Sequence, residues 1–398
     1  MLGHQMTSTR LFAAAVTVTL LLAGCSDDTA APEPVQLEAV GNRPLATLEW
    51  NRIAQDMIVK HKPSQQGAQR AMAYLTLAQY AAADEAVRTP PRPLTTPGAI
   101  AGASVAVLSH LFPADADLFE AEVRRREAEL PPGQARAFRT GEAVGRAVGA
   151  RAVELAIADR FSAPWTGTVP TGPGIWFSST VPPTPPALPQ LGGMQPFFMT
   201  TGSQFRPAPP PAFGSPEFLA GVAEVRAIAD TRTANQDSIA KFWAMGTGTL
   251  IAGFWNSTAV ELVERNGLGE LEAARALALM NTASMDALIA CAEAKFTYWL
   301  LRPSQADPGI ALAIGLPNFP AYPSNHSCFS GTAAYVLGTV FPADAQRLSD
   351  MAYEAGVSRI FGGIHYRFDA DAGLEIARGV TSIGSGTAAA SRLLSLVQ

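Results

Sequence analysis

The sequence has few cysteines, few charged residues and, after its N-terminus, no long apolar run. Only 3 of the 398 residues are cysteine, too few for a disulfide-rich scaffold. Charged residues make up 16%, and 29 Lys and Arg against 34 Asp and Glu give a net charge of -5, which excludes a generally basic nucleic-acid-binding protein. No later run approaches the roughly 20 apolar residues of a spanning helix, which excludes a multi-spanning membrane protein.

The composition and periodicity instead indicate an all-α globular protein. Hydrophobic residues make up 48%, enough for a sizeable core. Apolar residues recur at spacings of three and four, with few alternating β-branched runs. The predicted helices are 45–62, 65–87, 115–130, 134–158, one starting at Ser215-Pro216, 235–250, 268–301, 326–340, 344–361 and 365–382. No short-period repeat is visible, and a weak duplication of helical hairpins stays open.

The N-terminus indicates export. Residues 1–24 resemble a signal peptide, with Arg10 before an apolar stretch that is too short to span a membrane. Cys25 follows a lipobox-like sequence, which predicts a lipidated cysteine; ordinary export with a coincidental cysteine is the alternative. Ser26 fits sorting to the outer membrane. Residues 25–44 then form a flexible tether, and 45–398 a single helical domain with its catalytic core at about 215–390.

Residues 161–212 interrupt the helical pattern. They contain 13 of the 31 prolines, together with Trp165, Trp176, Phe197, Phe198 and Phe205. Such proline density is typical of a disordered linker. Because a solvated linker would lack large apolar side chains, we favour an ordered, irregular excursion that packs on the helices.

The first of three polar clusters comprises Lys295 and Arg302-Pro303. Residues seven apart share a helical face, so the sequence predicts both cations on one side of a helix that ends at Arg302, since Pro303 disfavours continuation. A solvated basic pair has the same spacing. Two cations on one stripe are also suited to an anion between them.

The second cluster is Pro323-Ser324-Asn325-His326. It is predicted to lie at the start of an apolar helix, where free N–H groups and the helix dipole favour an anion. The Ser324 hydroxyl and the Asn325 backbone N–H would donate to that anion, and His326 would transfer a proton to or from it. An N-cap followed by a loop histidine is the plainer interpretation.

The third cluster is Ser358-Arg359, His365 and Asp369. His365 is predicted to open a helix, with Asp369 four residues later on the same face. The carboxylate would hold one ring nitrogen and leave the other free as a nucleophile or metal ligand. Arg359 offers a planar fork to an anion, whereas an ordinary polar pair would explain His365 and Asp369 taken alone. Together the clusters predict a pocket for phosphate or vanadate.

These clusters resemble the signature of the vanadium haloperoxidase and type 2 phosphatidic acid phosphatase superfamily: Lys-x6-Arg-Pro, Pro-Ser-Gly-His and Ser-Arg-x5-His-x3-Asp. Ten of its eleven specified residues are present in order, and Asn325 replaces the glycine. Within the superfamily the motifs look closest to soluble chloroperoxidase-like bacterial members. Phe319 stands where such enzymes carry phenylalanine, which makes it a candidate for the halide pocket. Ala292 stands where fungal chloroperoxidases have tryptophan.

The resemblance implies an all-helical, vanadate-dependent haloperoxidase that oxidises halide with hydrogen peroxide. His365 would be the axial vanadium ligand, oriented by Asp369, and His326 the acid–base group. Lys295 would also polarise the peroxide. Vanadate oxygens would be held by Lys295, Arg302, Ser324, Asn325 and Arg359.

Two other functions compete with this interpretation. A phosphomonoesterase would use the same pocket without a cofactor, with His365 attacking phosphorus and His326 protonating the leaving oxygen. A non-catalytic, lipid-tethered protein could simply bind the oxyanion, although two histidines with an orienting carboxylate exceed what capture requires. The expected partners are small-molecule substrates and, through the lipid, a membrane. Cys291 and Cys328 lie near the clusters, and a disulfide and two buried thiols both stay open.

Overall fold

The computed structural model describes residues 44–90, 95–245 and 248–397. Within these ranges it contains helices joined by irregular segments and no β-strand, which confirms the all-α fold class. The helices are α1 (Ala46–His61), α2 (Gln65–Ala86), α3 (Thr96–Leu111), α4 (Ala116–Ala128), α5 (Pro132–Ala158), α6 (Pro216–Thr231), α7 (Ala234–Met245), α8 (Leu250–Asn266), α9 (Glu270–Tyr298), α10 (Pro303–Ala306), α11 (Asn325–Val340), α12 (Ala345–Phe361), α13 (Arg367–Gly384) and α14 (Gly386–Leu396).

Helix α3 is absent from the sequence prediction because its burial removes the periodic signal. It packs against α2 and α5, and most of its residues are buried on every face. Its contact with α5 is a backbone contact: a Cβ added at Gly98 would lie 2.0 Å from the carbonyl oxygen of Phe138. A helix that is apolar all round shows little amphipathic pattern.

A duplicated hairpin, left open by the sequence analysis, is visible in the structure. Phe-Pro-Ala-Asp-Ala occurs at 112–116 and again at 341–345. Each copy follows a 16-residue helix, α3 or α11, and forms a short 3-10 turn before the next helix, α4 or α12. Asp115 and Asp344 occupy the same place in the two turns. Only the second copy carries site residues: α11 begins at the second polar cluster, and the last turn of α12 contains Ser358 and Arg359 of the third.

The helix predicted at 235–250 is confirmed at its start but was placed too far along the chain at its end. Helix α7 ends at Met245 and α8 begins at Leu250, whose backbone has a positive φ of 61°. Helices α8 and α14 were not predicted from the sequence. Ser215 does cap α6 as predicted, since its hydroxyl accepts a hydrogen bond from the backbone N–H of Phe218.

The proline-rich segment 161–212 is ordered, as predicted. Trp176 and Phe197 are buried, and the only regular element within the segment is a 3-10 turn at Pro189–Gly193. Asp286 of α9 fixes the segment to the bundle. Its carboxylate accepts hydrogen bonds from three consecutive backbone N–H groups, those of residues 197–199, at 2.7–3.0 Å.

The same segment holds two loops that lead into the polar clusters. Ile175 pairs with Leu300 in an isolated antiparallel bridge, two residues before Arg302. The side-chain amide of Asn318 donates to the Thr184 hydroxyl and to the Pro185 carbonyl, and its oxygen accepts from the Ser178 hydroxyl. The backbone carbonyl of Asn318 accepts from the N–H of residue 187. The excursion therefore contacts the chain on both sides of Arg302, at Leu300 and at Asn318.

The signal peptide, Cys25 and all of the tether except Pro44 lie outside the described residues. Among the helices that are described, none combines the length and apolar character that crossing a membrane requires.

Candidate functional site

The side chains of Lys295 and Arg302 lie close together although the two residues belong to different structural elements. Lys295 is in the last turn of α9, which ends at Tyr298 because Trp299 adopts a left-handed backbone with φ 52°. Arg302 lies beyond that helix and caps α10, so the prediction of a single helical face is wrong. Their head groups nonetheless meet at Phe319, whose ring centroid is 5.4 Å from Lys295 Nζ and 5.1 Å from Arg302 Cζ.

The Lys295 ammonium is buried and surrounded by main-chain oxygens. Its Nζ donates to the carbonyls of Pro320 at 3.2 Å and Ala321 at 2.7 Å, and also to that of Pro323. Burial lowers the pKa of Lys295 to about 8, and the charge of Arg302 acts in the same direction. Lys295 is therefore the site cation whose charge changes closest to neutral pH.

The second cluster opens α11, as predicted. Ser324 is the N-cap residue and Asn325 the first helical residue, so free backbone N–H groups of the first turn lie at the cluster. The N–H of Ser324 donates to the backbone carbonyl of Asp369 at 2.9 Å, which joins the second cluster to the third. The Ser324 hydroxyl is buried without a hydrogen-bond partner.

His326 is half-buried and contacts α7. Its Nε2 lies 3.0 Å from the backbone carbonyl oxygen of Trp243. A carbonyl only accepts, so Nε2 carries the hydrogen and Nδ1 holds the lone pair in the neutral ring. Burial and then the charge of Arg359 lower the pKa of His326 well below its ordinary value.

Arg359 lies in the last turn of α12, with 3% of its surface exposed. It donates from Nη2 to the carbonyl of Ala240 at 2.7 Å and from Nε to the Ser358 hydroxyl at 3.1 Å. Burial, followed by the charge of Arg302, lowers the pKa of Arg359. The influence of Arg302 on this pKa places the Arg359 guanidinium within electrostatic range of Arg302.

His365 and Asp369 form the hydrogen-bonded pair that the spacing predicts, although His365 does not open a helix. Helix α13 begins at Arg367, and His365 lies two residues before it in an irregular segment. Asp369 accepts from His365 Nδ1 at 2.7 Å and from the N–H of Tyr366 at 3.0 Å. The other ring nitrogen, Nε2, is then an acceptor, 3.0 Å from Arg302 Nη1. Burial lowers the pKa of His365, which favours the neutral imidazole, and raises the pKa of Asp369 to about 7, a shift that the charges of Lys295 and Arg302 oppose.

The three cations form no ion pair in the described ranges. Lys295, Arg302 and Arg359 are 0–3% exposed, and the one carboxylate paired within the site, Asp369, is hydrogen-bonded to His365. Buried charges without counter-ions are costly. Arg302 Nη2 and the Ser324 hydroxyl are also buried donors without partners. An oxyanion such as vanadate or phosphate, which accepts several hydrogen bonds and carries negative charge, fits this set of donors.

Cys291 and Cys328 are both buried free thiols, which resolves the alternative left open by the sequence. Cys291 Sγ donates a weak hydrogen bond to the carbonyl oxygen of Pro323 at 3.6 Å. Each cysteine is one helical turn from a site residue, Lys295 or Ser324.

Sequence reasoning missed the main-chain acceptors of the site. The carbonyls of Ala240 and Trp243 bind Arg359 and His326, and those of residues 320, 321 and 323 bind Lys295. Every residue carries a carbonyl, so no side-chain pattern marks these positions. The structure brings all predicted site residues of the three clusters to one region, with Asn325 at the start of α11 and Phe319 between the first two cations.

Comparison with known proteins agrees with this location. Residues 274–385, which contain all three clusters, match the model of the PAP2 superfamily. A non-specific acid phosphatase of Salmonella typhi is 42% identical over 53 residues, which are 13% of this chain and 21% of that protein. The match thus spans about a fifth of the relative.

Solved structures of similar fold extend over most of the chain. A bacterial vanadium-dependent iodoperoxidase has a TM-score of 0.70 at 23% identity, with 85% of this chain and 94% of that chain covered. The holo form of a bacterial vanadium-dependent chloroperoxidase has a TM-score of 0.65 at 14% identity, covering 92% and 97%. At these identities the likeness concerns the fold.

Proposed function

Because residues 274–385 of this chain form a PAP2 superfamily domain, we propose that it is an enzyme acting through a bound oxyanion, specifically a vanadate-dependent haloperoxidase. The observation that carries the proposal is the group of three buried cations without ion pairs around a histidine whose Nε2 lone pair faces them, where it accepts from Arg302. The similarity of fold to haloperoxidases over 85–92% of the chain favours this branch of the superfamily.

In the proposed reaction, hydrogen peroxide oxidises a halide by two electrons. One halide, one hydrogen peroxide and one proton give hypohalous acid and water. Vanadate, when bound, supplies the Lewis acid that activates the peroxide while vanadium stays pentavalent. The protein residues bind this anion, orient it and move protons around it.

Each residue has a role that its contacts support. His365 would ligate vanadium through Nε2, because Asp369 holds the opposite nitrogen. Arg302, Arg359, Lys295 and the α11 N-terminus would neutralise the oxygens. Further donors to them would be Ser324 and Asn325. The Nδ1 lone pair of His326 would accept a proton from hydrogen peroxide, since the neutral ring is favoured in the buried site. Phe319 would border the halide.

The second candidate is a phosphomonoesterase, supported by the acid phosphatase match. His365 Nε2 would attack phosphorus and form a phosphohistidine as the ester oxygen leaves with a proton from His326. Water would then release phosphate. This role needs His326 protonated in the complex, and the negative charge of a bound phosphate would raise its pKa toward that state.

A parallel assay separates the candidates. Bromination of phenol red with peroxide is measured beside hydrolysis of p-nitrophenyl phosphate, each with and without vanadate. We expect vanadate-dependent halogenation that His365→Ala abolishes while the circular dichroism spectrum is unchanged. Vanadate-inhibited hydrolysis would instead establish the phosphatase. Phosphate binding without either activity would leave the anion-binding protein.

We also propose export and anchoring through a lipid on Cys25, on the basis of the signal-like sequence before it. Palmitate labelling of the wild-type chain and of Cys25→Ser in bacterial cells tests this. Label in the wild type alone is expected, and an unlabelled wild type found free in the periplasm would show ordinary export.

A further inference from the structure

We propose that helix α7 sets which nitrogen of His326 carries the proton, with Trp243 and Glu354 as positioning residues. The inference rests on the proposed role of His326 in proton transfer. No motif of the sequence includes α7. Helix α7 nevertheless contacts His326 of the second cluster, on α11, and Arg359 of the third cluster, on α12.

The C-terminal half of α7 faces the site with two main-chain oxygens, of which that of Trp243 lies in the last turn. The carbonyl of Ala240 accepts from Arg359, and that of Trp243, one turn further along, accepts from His326. Carbonyls in the last turn of a helix have no donor within that helix, and the helix dipole places negative charge there. This end of α7 therefore favours donors, and it binds His326 as an N–H donor through Nε2.

Trp243 is fixed on two sides by its side chain. Its indole N–H donates to the Glu354 carboxylate at 2.9 Å, and Glu354 lies on α12, five residues before Arg359. Its ring packs edge-on against Phe254 of α8 with centroids 4.8 Å apart, and only 2% of the residue is exposed. The Glu354 contact thus ties the carbonyl that orients His326 to the helix that carries Arg359.

The consequence is chemical rather than structural. With Nε2–H held by α7, neutral His326 presents Nδ1 as an acceptor, which a base needs in order to take a proton. The opposite tautomer would present a donor and block that step. Proton transfer by a positioned group contributes roughly 10²–10⁴-fold to rate. Loss of the fixed tautomer should therefore lower turnover more than anion affinity.

The test measures the tautomer directly in the full chain. Long-range ¹H–¹⁵N spectra at pH 7.5 report which nitrogen of each imidazole is protonated, and the chain has only 5 histidines. Signals of His326 are identified by their loss in His326→Ala. Glu354→Ala and Trp243→Phe remove the indole contact. Glu354→Gln keeps an oxygen that accepts from the indole and is the matched control.

We expect protonated Nε2 in the wild type and in Glu354→Gln, and mixed tautomers in Glu354→Ala and Trp243→Phe. Turnover should fall by about 10-fold in the latter two, with the phosphate Kd unchanged within about twofold. A wild type protonated at Nδ1, or an unaltered tautomer in both variants, would overturn the proposal. If Trp243→Phe does not fold, Glu354→Ala decides, since Glu354 is exposed. An inactive wild type would contradict the proposed function and leave the tautomer result standing.

Discussion

Arg302 donates a hydrogen bond from Nη1 to Nε2 of His365 across 3.0 Å. The same guanidinium donates from Nε to the carbonyl of Phe319 at 2.9 Å and has a buried Nη2 without a partner. Nε2 of His365 is the atom proposed to bind vanadium or attack phosphorus. Nε2 has a single lone pair, so binding of the anion would replace this hydrogen bond and leave both Nη1 and Nη2 of Arg302 beside the anion oxygens.

Arg302→Lys should weaken phosphate and vanadate binding, because an ammonium cannot make the separate contacts of the planar guanidinium. Loss of one charge-assisted hydrogen bond is worth about 1.5–3 kcal/mol, or roughly 10- to 150-fold in Kd. Titration calorimetry measures it. The control is Arg226→Lys on α6, an exposed arginine paired with Asp230 and Asp307, which should bind as the wild type does. Equal affinities in Arg302→Lys and the wild type would remove Arg302 from the site.

Phosphate affinity should fall as the pH rises above about 8. The pKa of Lys295 is lowered to about 8 by burial, so its charge is present below that pH and lost above it. A bound anion favours the charged form, and the affinity should then fall by up to tenfold per pH unit. Inorganic phosphate is predominantly the dianion above about pH 8, so measurements from about pH 8 to 9.5 report mainly on the protein group. The measurement is Kd over this range.

Lys295→Arg is the matched variant for this experiment. It retains a charge that does not titrate in the range, so its affinity should change less with pH. If wild type and Lys295→Arg lose affinity in parallel, another group is responsible for the pH dependence.

The catalytic side chains of the site could be predicted from the sequence more completely than the backbone segments that hold them in place. The pairing of His365 with Asp369 and the helix start at Ser324 follow from local sequence patterns, which depend on neighbouring residues. The end of α9 at Trp299 does not, because a non-glycine residue in the left-handed region has no sequence signal and is held there by tertiary contacts. The backbone of Trp299 accepts a hydrogen bond from Trp176 of the distant proline-rich segment.

Asn318→Ala should weaken the site indirectly by releasing the loop before Phe319. The Asn318 side chain bonds to Ser178, Thr184 and Pro185, and each such bond is worth about 1 kcal/mol. We expect lower thermal stability and a phosphate Kd increased about 3- to 10-fold, because Phe319 contacts both Lys295 and Arg302.

The control is Asn266→Ala, which removes an exposed asparagine whose amide donates only to the carbonyl of Leu262 at the end of α8. It should leave the phosphate Kd unchanged. A normal Kd in Asn318→Ala despite lowered stability would show that the proline-rich segment supports the fold without positioning the site.

Stability should depend on pH through Asp286, the anchor of the proline-rich segment. Burial raises its pKa to about 6, against three backbone N–H donors that oppose the shift. The folded state then binds the proton more tightly than the unfolded state does. The associated stabilisation is present below about pH 4 and is lost as the pH rises through 6, a change of about 3 kcal/mol.

Asp286→Asn has no such titration, so the difference in free energy of unfolding between the two proteins, measured in urea at pH 4, 5, 6 and 7, isolates this group. The difference should shift in favour of the asparagine variant as the pH rises; a shift in favour of the wild type would mean that the three N–H donors outweigh burial and hold the carboxylate charged.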